Sequence, residues 1–233
     1  MTIASLLFIP MTIKQIELWQ NSETLWTNVI ELNTSEDQLV RPTMARPLGI
    51  RGNYYGKQAE KAKTPKERQN YLDKAFKDFL NAAKLGSRSA SVYEGIGSTY
   101  GIRGNMKQEQ ARQLQQKNKA QEAQTLLQQA NEDLKLAIQN YSKAIEFDPT
   151  RGTVYFNRGV TYSILRVHEK AIQDYTKTLQ YAPEQAAITY MNRGISYAAL
   201  RQNQAAIADF QQVLKYNPKD DIARRYLNQL TRN

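Results

Sequence analysis

The chain repeats itself at an interval of 35 residues, and no other feature of the sequence constrains the fold as strongly. Eight positions of one segment recur, with the same or a similar residue, exactly one interval later. The first set is Tyr155, Asn157, Arg158, Gly159, Tyr162, Ala171, Tyr175 and Pro183, and the second set is Tyr190, Asn192, Arg193, Gly194, Tyr197, Ala206, Phe210 and Pro218. A period of this length is typical of proteins that stack copies of one supersecondary unit. The sequence therefore predicts a repeat protein.

Two earlier copies of the repeat are interrupted by insertions. In one copy the second half, with Tyr141 and Pro149, keeps a 34-residue spacing, but the first half around Gly97 is displaced by a further 28 residues. The copy before it has Gly52 in its first half and Phe79 in its second, with 11 extra residues between them. Both insertions fall between the halves, so each half is expected to be a structural element of its own.

Each half has the apolar periodicity of an α-helix. Larger residues in segment 155–165 recur at helical spacing, and so do Ala171, Tyr175 and Leu179 in the second half. Prolines follow three of the second halves, where a helix would end. The repeated unit is therefore predicted to be a helix–turn–helix of about 34 residues.

The two insertions carry helix signals of their own. Thr64-Pro65-Lys66-Glu67 is a capping box with proline at the first helical position, so the second helix of the first unit is expected to start there. In the longer insertion, Asn105 is expected to cap a helix that continues through the Gln-rich segment 108–129. Unbroken to Phe147, that helix would be about 60 Å long. Its part 115–122 has almost no apolar face and is expected to project from the array or fray.

The pattern resembles the tetratricopeptide repeat family. Its signature places a large residue four positions before Gly, Tyr three after it, and Ala, an aromatic, Ala and Pro on the second helix. Residues 152–219 match closely and residues 45–149 match less closely; Leu48, Thr178 and Val213 depart from the signature. The resemblance implies an all-α, right-handed superhelical solenoid of four helix–turn–helix repeats, of which the first two have elongated helical insertions.

The resemblance also predicts the domain organisation. The predicted parts are an N-terminal apolar segment with a packing helix (1–44), repeat 1 (45–86), repeat 2 with its Gln-rich insertion (87–151), repeat 3 (152–185), repeat 4 (186–219) and a C-terminal capping helix (220–233). The capping helix is predicted because Ile222, Tyr226, Leu227 and Leu230 share one side.

The N-terminal segment suggests a second hypothesis. Its apolar stretch 4–9 is too short to span a bilayer, which takes about 20 residues. Segment 22–32 is predicted to be a helix that packs on repeat 1. Segment 19–26, Trp-Gln-Asn-Ser-Glu-Thr-Leu-Trp, resembles the junction before the C-terminal repeats of membrane glycosyltransferase-like proteins. On this hypothesis the chain is the soluble repeat region of such a protein, tethered to a membrane through a segment upstream of Met1.

The sequence offers no set of residues for catalysis. It has no cysteine and only one histidine, His168, which stands at a packing position of the resemblance. Neighbouring carboxylates such as Asp220 and Asp221 point to different sides of a helix. We therefore expect a protein without enzymatic activity, catalytic residues, metal site, cofactor or small-molecule substrate.

A binding role follows from the resemblance. In tetratricopeptide arrays the first helices line the concave surface, where an asparagine amide can both donate to and accept from the backbone of an extended peptide. The residues expected there are Phe156, Asn157, Val160, Ile164, Met191, Asn192, Ile195 and Ala199. Alternatively, Asn before Arg-Gly has a structural role, or the groove is filled by the N-terminal helix or by the Gln-rich helix.

The net charge of +10 arises mainly from residues 41–119. There the first repeat is expected to present Arg46, Asn53 and Lys57 toward the concave side, which would favour a protein or peptide partner with acidic residues at one end. A third hypothesis is weak, sequence-independent binding of nucleic acid through this basic half. We rank it last, because the repeats lack a regular set of base-reading residues.

Overall fold

The computed structural model describes residues 44–231, together with Thr27 and Ile30. It divides into two compact units, Met1–Ile96 (unit 1) and Gly97–Asn233 (unit 2). The boundary lies inside the first helix of the second predicted repeat. The described residues form α-helices with short 3-10 stretches and contain no strand, which confirms the all-α fold class.

The described helices follow the predicted halves of the repeats. In chain order they are α1 (Ala45–Lys61), α2 (Pro65–Lys84), α3 (Ala90–Gln116), α4 (Ala120–Phe147), α5 (Gly152–Ile164), α6 (His168–Tyr181), α7 (Ala186–Ala199), α8 (Asn203–Tyr216) and α9 (Asp221–Thr231). The 3-10 helix, Pro183–Gln185, lies between α6 and α7.

Unit 1 contains the pair α1 and α2, which pack against each other. As predicted, α2 begins with proline at its first position, and the Thr64 hydroxyl accepts a hydrogen bond from the Glu67 amide at 3.1 Å. The Glu67 carboxylate accepts from the Lys63 amide rather than from Thr64. Of the predicted N-terminal helix only Thr27 and Ile30 are described; both are helical and half-buried. The apolar stretch 4–9 and segment 19–26 lie outside the described residues.

Unit 2 is a stack of helix pairs. Helix α5 packs on α6 and α7 on α8, while each second helix also contacts the first helix of the next pair. Helix α9, at the position of the predicted capping helix, packs on α8. Its start is fixed by Asp220, whose carboxylate accepts from the amides of Ile222 and Ala223. This succession of nearest-neighbour contacts is the architecture of a helical-repeat solenoid.

The longer insertion is not the single helix that we predicted from Asn105. That residue lies inside α3, and the chain turns at Lys117–Lys119 into α4. Asn118 takes a left-handed conformation with a φ of 58°, which asparagine tolerates better than most residues. Arg166 and Arg201 have φ values of 60° and 58° in the equivalent turns of the next two pairs. The insertion therefore lengthens both helices of the pair and leaves the type of turn unchanged.

The lengthened part of the α3–α4 pair repeats the packing of its base. A Cβ on Gly97 would lie 2.8 Å from the ring of Tyr141, and a Cβ on Gly104 would lie 2.8 Å from Leu134. Gly104 follows Gly97 by seven residues, and Leu134 precedes Tyr141 by seven. Because the two helices are antiparallel, a residue two turns after Gly97 on α3 lies opposite a residue two turns before Tyr141 on α4. The sequence of the insertion thus preserves the contact between the two helices.

An ion cluster joins the lengthened helices. The Asp133 carboxylate accepts hydrogen bonds from Arg103 and, at 2.8 Å, from the Lys107 ammonium group. Burial by itself would raise the pKa of Asp133, but the hydrogen bonds and charges of Arg103 and Lys107 outweigh burial and lower that pKa below its ordinary value. A carboxyl whose pKa is lower in the folded chain stabilises the fold above its unfolded pKa and loses this contribution as the pH falls.

We therefore expect acid to loosen this part of the α3–α4 pair. Amide hydrogen exchange in segment 120–133 should become faster, relative to intrinsic rates, as the pH falls from about 5 to about 3, and Asp133→Asn should remove most of that dependence. Glu122→Gln, which replaces an exposed carboxyl on the same helix, is the matched control and should preserve it. An unchanged pH dependence in the Asp133 variant would contradict the assignment.

Candidate functional site

Five of the predicted binding residues form what we call the candidate face, the half-exposed side chains of two neighbouring first helices. They are Asn157, Val160 and Ile164 on α5, and Asn192 and Ile195 on α7. The two helices contact each other, and Asn192 and Ile195 repeat the positions of Asn157 and Val160. Ala199, the eighth expected residue of this set, is exposed at the end of α7. The face therefore carries amides beside apolar side chains and no charged group.

The two asparagines differ in their local bonding. The Asn192 amide nitrogen donates to the backbone carbonyl of Ile188 at 2.8 Å, one turn earlier in α7. The Asn157 side chain has no hydrogen-bond partner within the described part of the chain, although its backbone carbonyl accepts from Thr161. The Asn157 amide consequently retains its full capacity to donate and accept, whereas Asn192 retains mainly its carbonyl oxygen.

Two other predicted residues contribute to packing. The Phe156 ring lies 6.0 Å, centroid to centroid, from the buried ring of Tyr175. Met191 is only 9% exposed and belongs to the core formed with Phe210, Val213 and Ala223. Burial leaves Met191 little surface for a ligand, so its role is in the packing of this core.

The arginine that follows each asparagine is held inside the stack. Arg158 donates from Nε and Nη2 to the two oxygens of Asp174, both at 2.8 Å, and from Nη1 to Ser142 on the preceding second helix at 2.9 Å. Its guanidinium carbon also lies 5.7 Å and 5.9 Å from the rings of Tyr155 and Tyr162. The Asp174 carboxylate thus neutralises the charge of Arg158, and the Arg158 side chain links three helices, α4, α5 and α6.

The same arrangement recurs in two other pairs. Arg193 binds Asp209 and donates to Thr176 at 3.0 Å, and in unit 1 Arg51 binds Asp78 and donates to Thr27 at 3.1 Å. Our sequence interpretation missed these pairs. The signal was present, because Asp174 recurs as Asp209 at the 35-residue interval of the arginines.

The predicted residues of unit 1 lie along α1. Arg46, Asn53 and Lys57 are exposed, and the Asn53 amide donates to the Ser91 hydroxyl at 3.4 Å. Arg46 and Asn53 line a cleft of about 720 Å³ together with the segment 87–92. Lys57 is not among the residues that line this cleft. The structure therefore brings two of the three predicted residues to one place.

The described residues hold few groups suited to catalysis or metal binding. His168 begins α6, and its Nδ1 is buried without a hydrogen-bond partner among them. No three His, Asp or Glu side chains of residues 44–231 gather as metal ligands would. None of the helices in this range combines the length and apolar composition needed to cross a lipid bilayer.

Comparison with protein families identifies two segments. Residues 152–185 and residues 187–220 each match a sequence profile described as "Tetratricopeptide repeat". The comparison with curated proteins gives no match. The resemblance of segment 19–26 to a glycosyltransferase-like junction is not tested by these findings and stays a prediction.

Comparison with solved structures shows the fold. The crystal structure of MamA shares 17% identity over 83% of this chain and 85% of its own, with a TM-score of 0.56. PilF of Pseudomonas aeruginosa shares 15% identity over 77% of this chain and 67% of its own, with a TM-score of 0.54. MamA of Desulfovibrio magneticus RS-1, from residue 41 to its end, shares 13% identity over 77% and 82% of the two chains, with a TM-score of 0.53.

Proposed function

We propose that this chain, whose residues 152–185 and 187–220 match the tetratricopeptide repeat, is a non-enzymatic scaffold that binds an extended segment of another protein on the candidate face. The observation that carries the proposal is the Asn157 amide. It is half-exposed, makes no hydrogen bond within the described residues, and stands beside the partly exposed Val160 and Ile164.

This combination suits the recognition of a peptide backbone. An extended peptide presents both N–H and C=O groups, and an unengaged amide can satisfy one of each. Val160, Ile164 and Ile195 can bury apolar side chains of the ligand at the same time. Arg158 and Arg193 bind internal aspartates, so they add little charge for a ligand. The ligand segment bound at the candidate face is therefore expected to be apolar or neutral.

The exposed cationic side chains of α1 indicate the charge expected on the partner. Arg46 and Lys57 are exposed on this helix. Complementary charge favours acidic residues in a segment of the partner that reaches unit 1. An acidic segment of the partner is therefore expected at α1, and an apolar or neutral segment at the candidate face.

The test uses a peptide selected on the full-length chain from a displayed random library and then titrated by calorimetry. Asn157→Ala is expected to weaken the affinity by roughly two- to tenfold, the value of one hydrogen bond. Asn192→Ala should have a smaller effect, because its amide nitrogen already donates to Ile188. The helical melt of both variants should stay close to that of the parent.

Gln211→Ala provides the control, since Gln211 is an exposed amide on the second helix α8. It should leave the affinity unchanged. Equal affinities of the parent and the Asn157 variant would remove the proposed role of that amide, and a loss in the Gln211 variant would move the binding surface to the second helices.

A further inference from the structure

The cleft of unit 1 is lined by a set of hydrogen-bond donors. It lies between the first turns of α1 and the segment that leads into α3, and its volume of about 720 Å³ falls within the roughly 300–1,000 Å³ of ordinary ligand pockets. Its polar lining consists of Arg46, Asn53, Ser87, Arg88, Ser89 and Ser91. No acidic residue is among the described residues that line it.

Hydrogen bonds order the hydroxyl groups of this lining. The hydroxyls of Ser89 and Ser91 lie 2.9 Å apart, so one donates to the other. The Asn53 amide donates to the Ser91 oxygen at 3.4 Å, and the Ser89 amide donates to the Ser87 oxygen at 3.3 Å. One hydroxyl proton of the Ser89–Ser91 pair is consequently left to donate to a further acceptor, as is the hydroxyl proton of Ser87.

The rest of the cleft lining is apolar and closely packed. It includes Ala45, Gly49, Ile50 and Val92, and a Cβ on Gly49 would lie 2.8 Å from Val92. The cleft thus combines cationic and hydroxyl-bearing residues with apolar ones. This combination suits an anionic group that is carried on an organic chain better than it suits a free ion.

We propose that this cleft binds the phosphoryl group of a phosphorylated serine or threonine in a peptide. A phosphoryl group carries close to two negative charges and three acceptor oxygens, and guanidinium groups pair with it in a bidentate manner. The exposed Arg46 guanidinium and the remaining hydroxyl protons of the lining match this demand for donors. A carboxylate, with one charge and two oxygens, would use fewer of them.

The position of the cleft favours a peptide as the molecule that bears the phosphoryl group. Arg46 and Asn53 occupy on α1 the positions that Ile188 and Ile195 occupy on α7, as the alignment of Gly52 with Gly194 shows. The cleft therefore uses the same side of a first helix as the candidate face. The choice of a peptide, but not the choice of a phosphoryl group, rests on the proposed function.

The test compares three short capped peptides that differ at one central residue: phosphoserine, serine or glutamate. Calorimetric titration of the full chain is expected to give at least about tenfold tighter binding of the phosphoserine peptide than of the serine peptide, with glutamate between them. Arg46→Gln combined with Arg88→Gln should abolish the difference. Lys84→Gln, which removes an exposed charge outside the cleft, should keep it.

Other results would overturn the inference. Equal affinity for the phosphoserine and serine peptides would contradict a phosphoryl site, and unchanged selectivity in the double arginine variant would place that site elsewhere. Competition by inorganic phosphate at the same concentration as the phosphopeptide would contradict the peptide as carrier. These outcomes leave the titrations of the Asn157 variant unaffected, so the failure of one proposal is distinguishable from the failure of the other.

Discussion

Arg158→Met is expected to lower the free energy of unfolding of unit 2 by about 3–5 kcal/mol, the usual cost of removing one partner of a buried ion pair. Asp174 is only 6% exposed at its side chain and Arg158 18%. The substitution would leave the Asp174 carboxylate buried without its cation, and it would also remove the bond to Ser142 and the contacts with two tyrosine rings. Urea denaturation followed by circular dichroism measures the loss.

Two further variants distinguish the contribution of the ion pair to the free energy of unfolding from the general effect of replacing an arginine. Arg166→Met makes the same change at an exposed position and should alter the stability by less than about 0.5 kcal/mol. Arg158→Met combined with Asp174→Leu removes both charges and should recover part of the loss, because no buried charge remains. A loss below about 1 kcal/mol in the single variant, typical of a surface pair, would contradict the structural role of Arg158.

Phe210→Ala is expected to have an effect of similar size at the end of the stack. The Phe210 side chain is fully buried, and its ring stacks on Tyr226 of α9 with centroids 4.7 Å apart and planes 10° apart. Removing a buried phenylalanine side chain usually costs about 3–5 kcal/mol, since apolar contacts are lost and a cavity remains. We expect amide exchange in α9 to accelerate more than exchange in α5, because α9 packs directly on this ring.

Tyr216→Ala is the matched control for this prediction. Tyr216 is an aromatic residue of the same helix, but it is 60% exposed, and among the described rings it stacks on that of Tyr190 alone, at 6.4 Å. Its removal should cost about 1 kcal/mol or less. Equal losses in the two variants would show that the capping helix does not depend on the buried ring.

The 35-residue interval was sufficient to predict the helix pairs, because equivalent residues must meet equivalent neighbours in a stack. Segments 155–165 and 171–181 correspond to α5 and α6 within a few residues, and Thr64 caps α2 as the capping box indicated. These features depend on local sequence or on the repeat itself. Local sequence and the internal repeat can both be analysed from one sequence, without homologues.

The turn inside the long insertion could not be predicted in the same way. Neither Gly nor Pro marks it, and Asn118 is its only residue with a preference for the left-handed conformation. The pairing of α3 with α4 decides where the chain reverses. That information lies in the matched spacings of Gly97 and Gly104 with Tyr141 and Leu134, which a search at the 35-residue interval does not compare.

The candidate site was predicted at the level of helix faces but not of single contacts. The repeat register placed Asn157 and Asn192 at equivalent positions, yet only the structure shows that Asn192 bonds to its own helix. The position of Met191 in the repeat predicted a residue of the concave surface, but tertiary packing buries its side chain in the core that contains Phe210. The cleft around Arg46 also depends on residues 87–92, which belong to the next predicted repeat.

The most direct test of the central claim is photo-crosslinking of the selected peptide to the full chain carrying benzoylphenylalanine at one position. Placed at Ile195, on the candidate face, the probe is expected to crosslink the peptide; placed at Gln211, on the exposed side of α8, it should not. An excess of the same peptide without a label should reduce the crosslinking of the labelled peptide at position 195. Crosslinking at position 211 but not at position 195 would contradict the claim that the first helices bind the ligand.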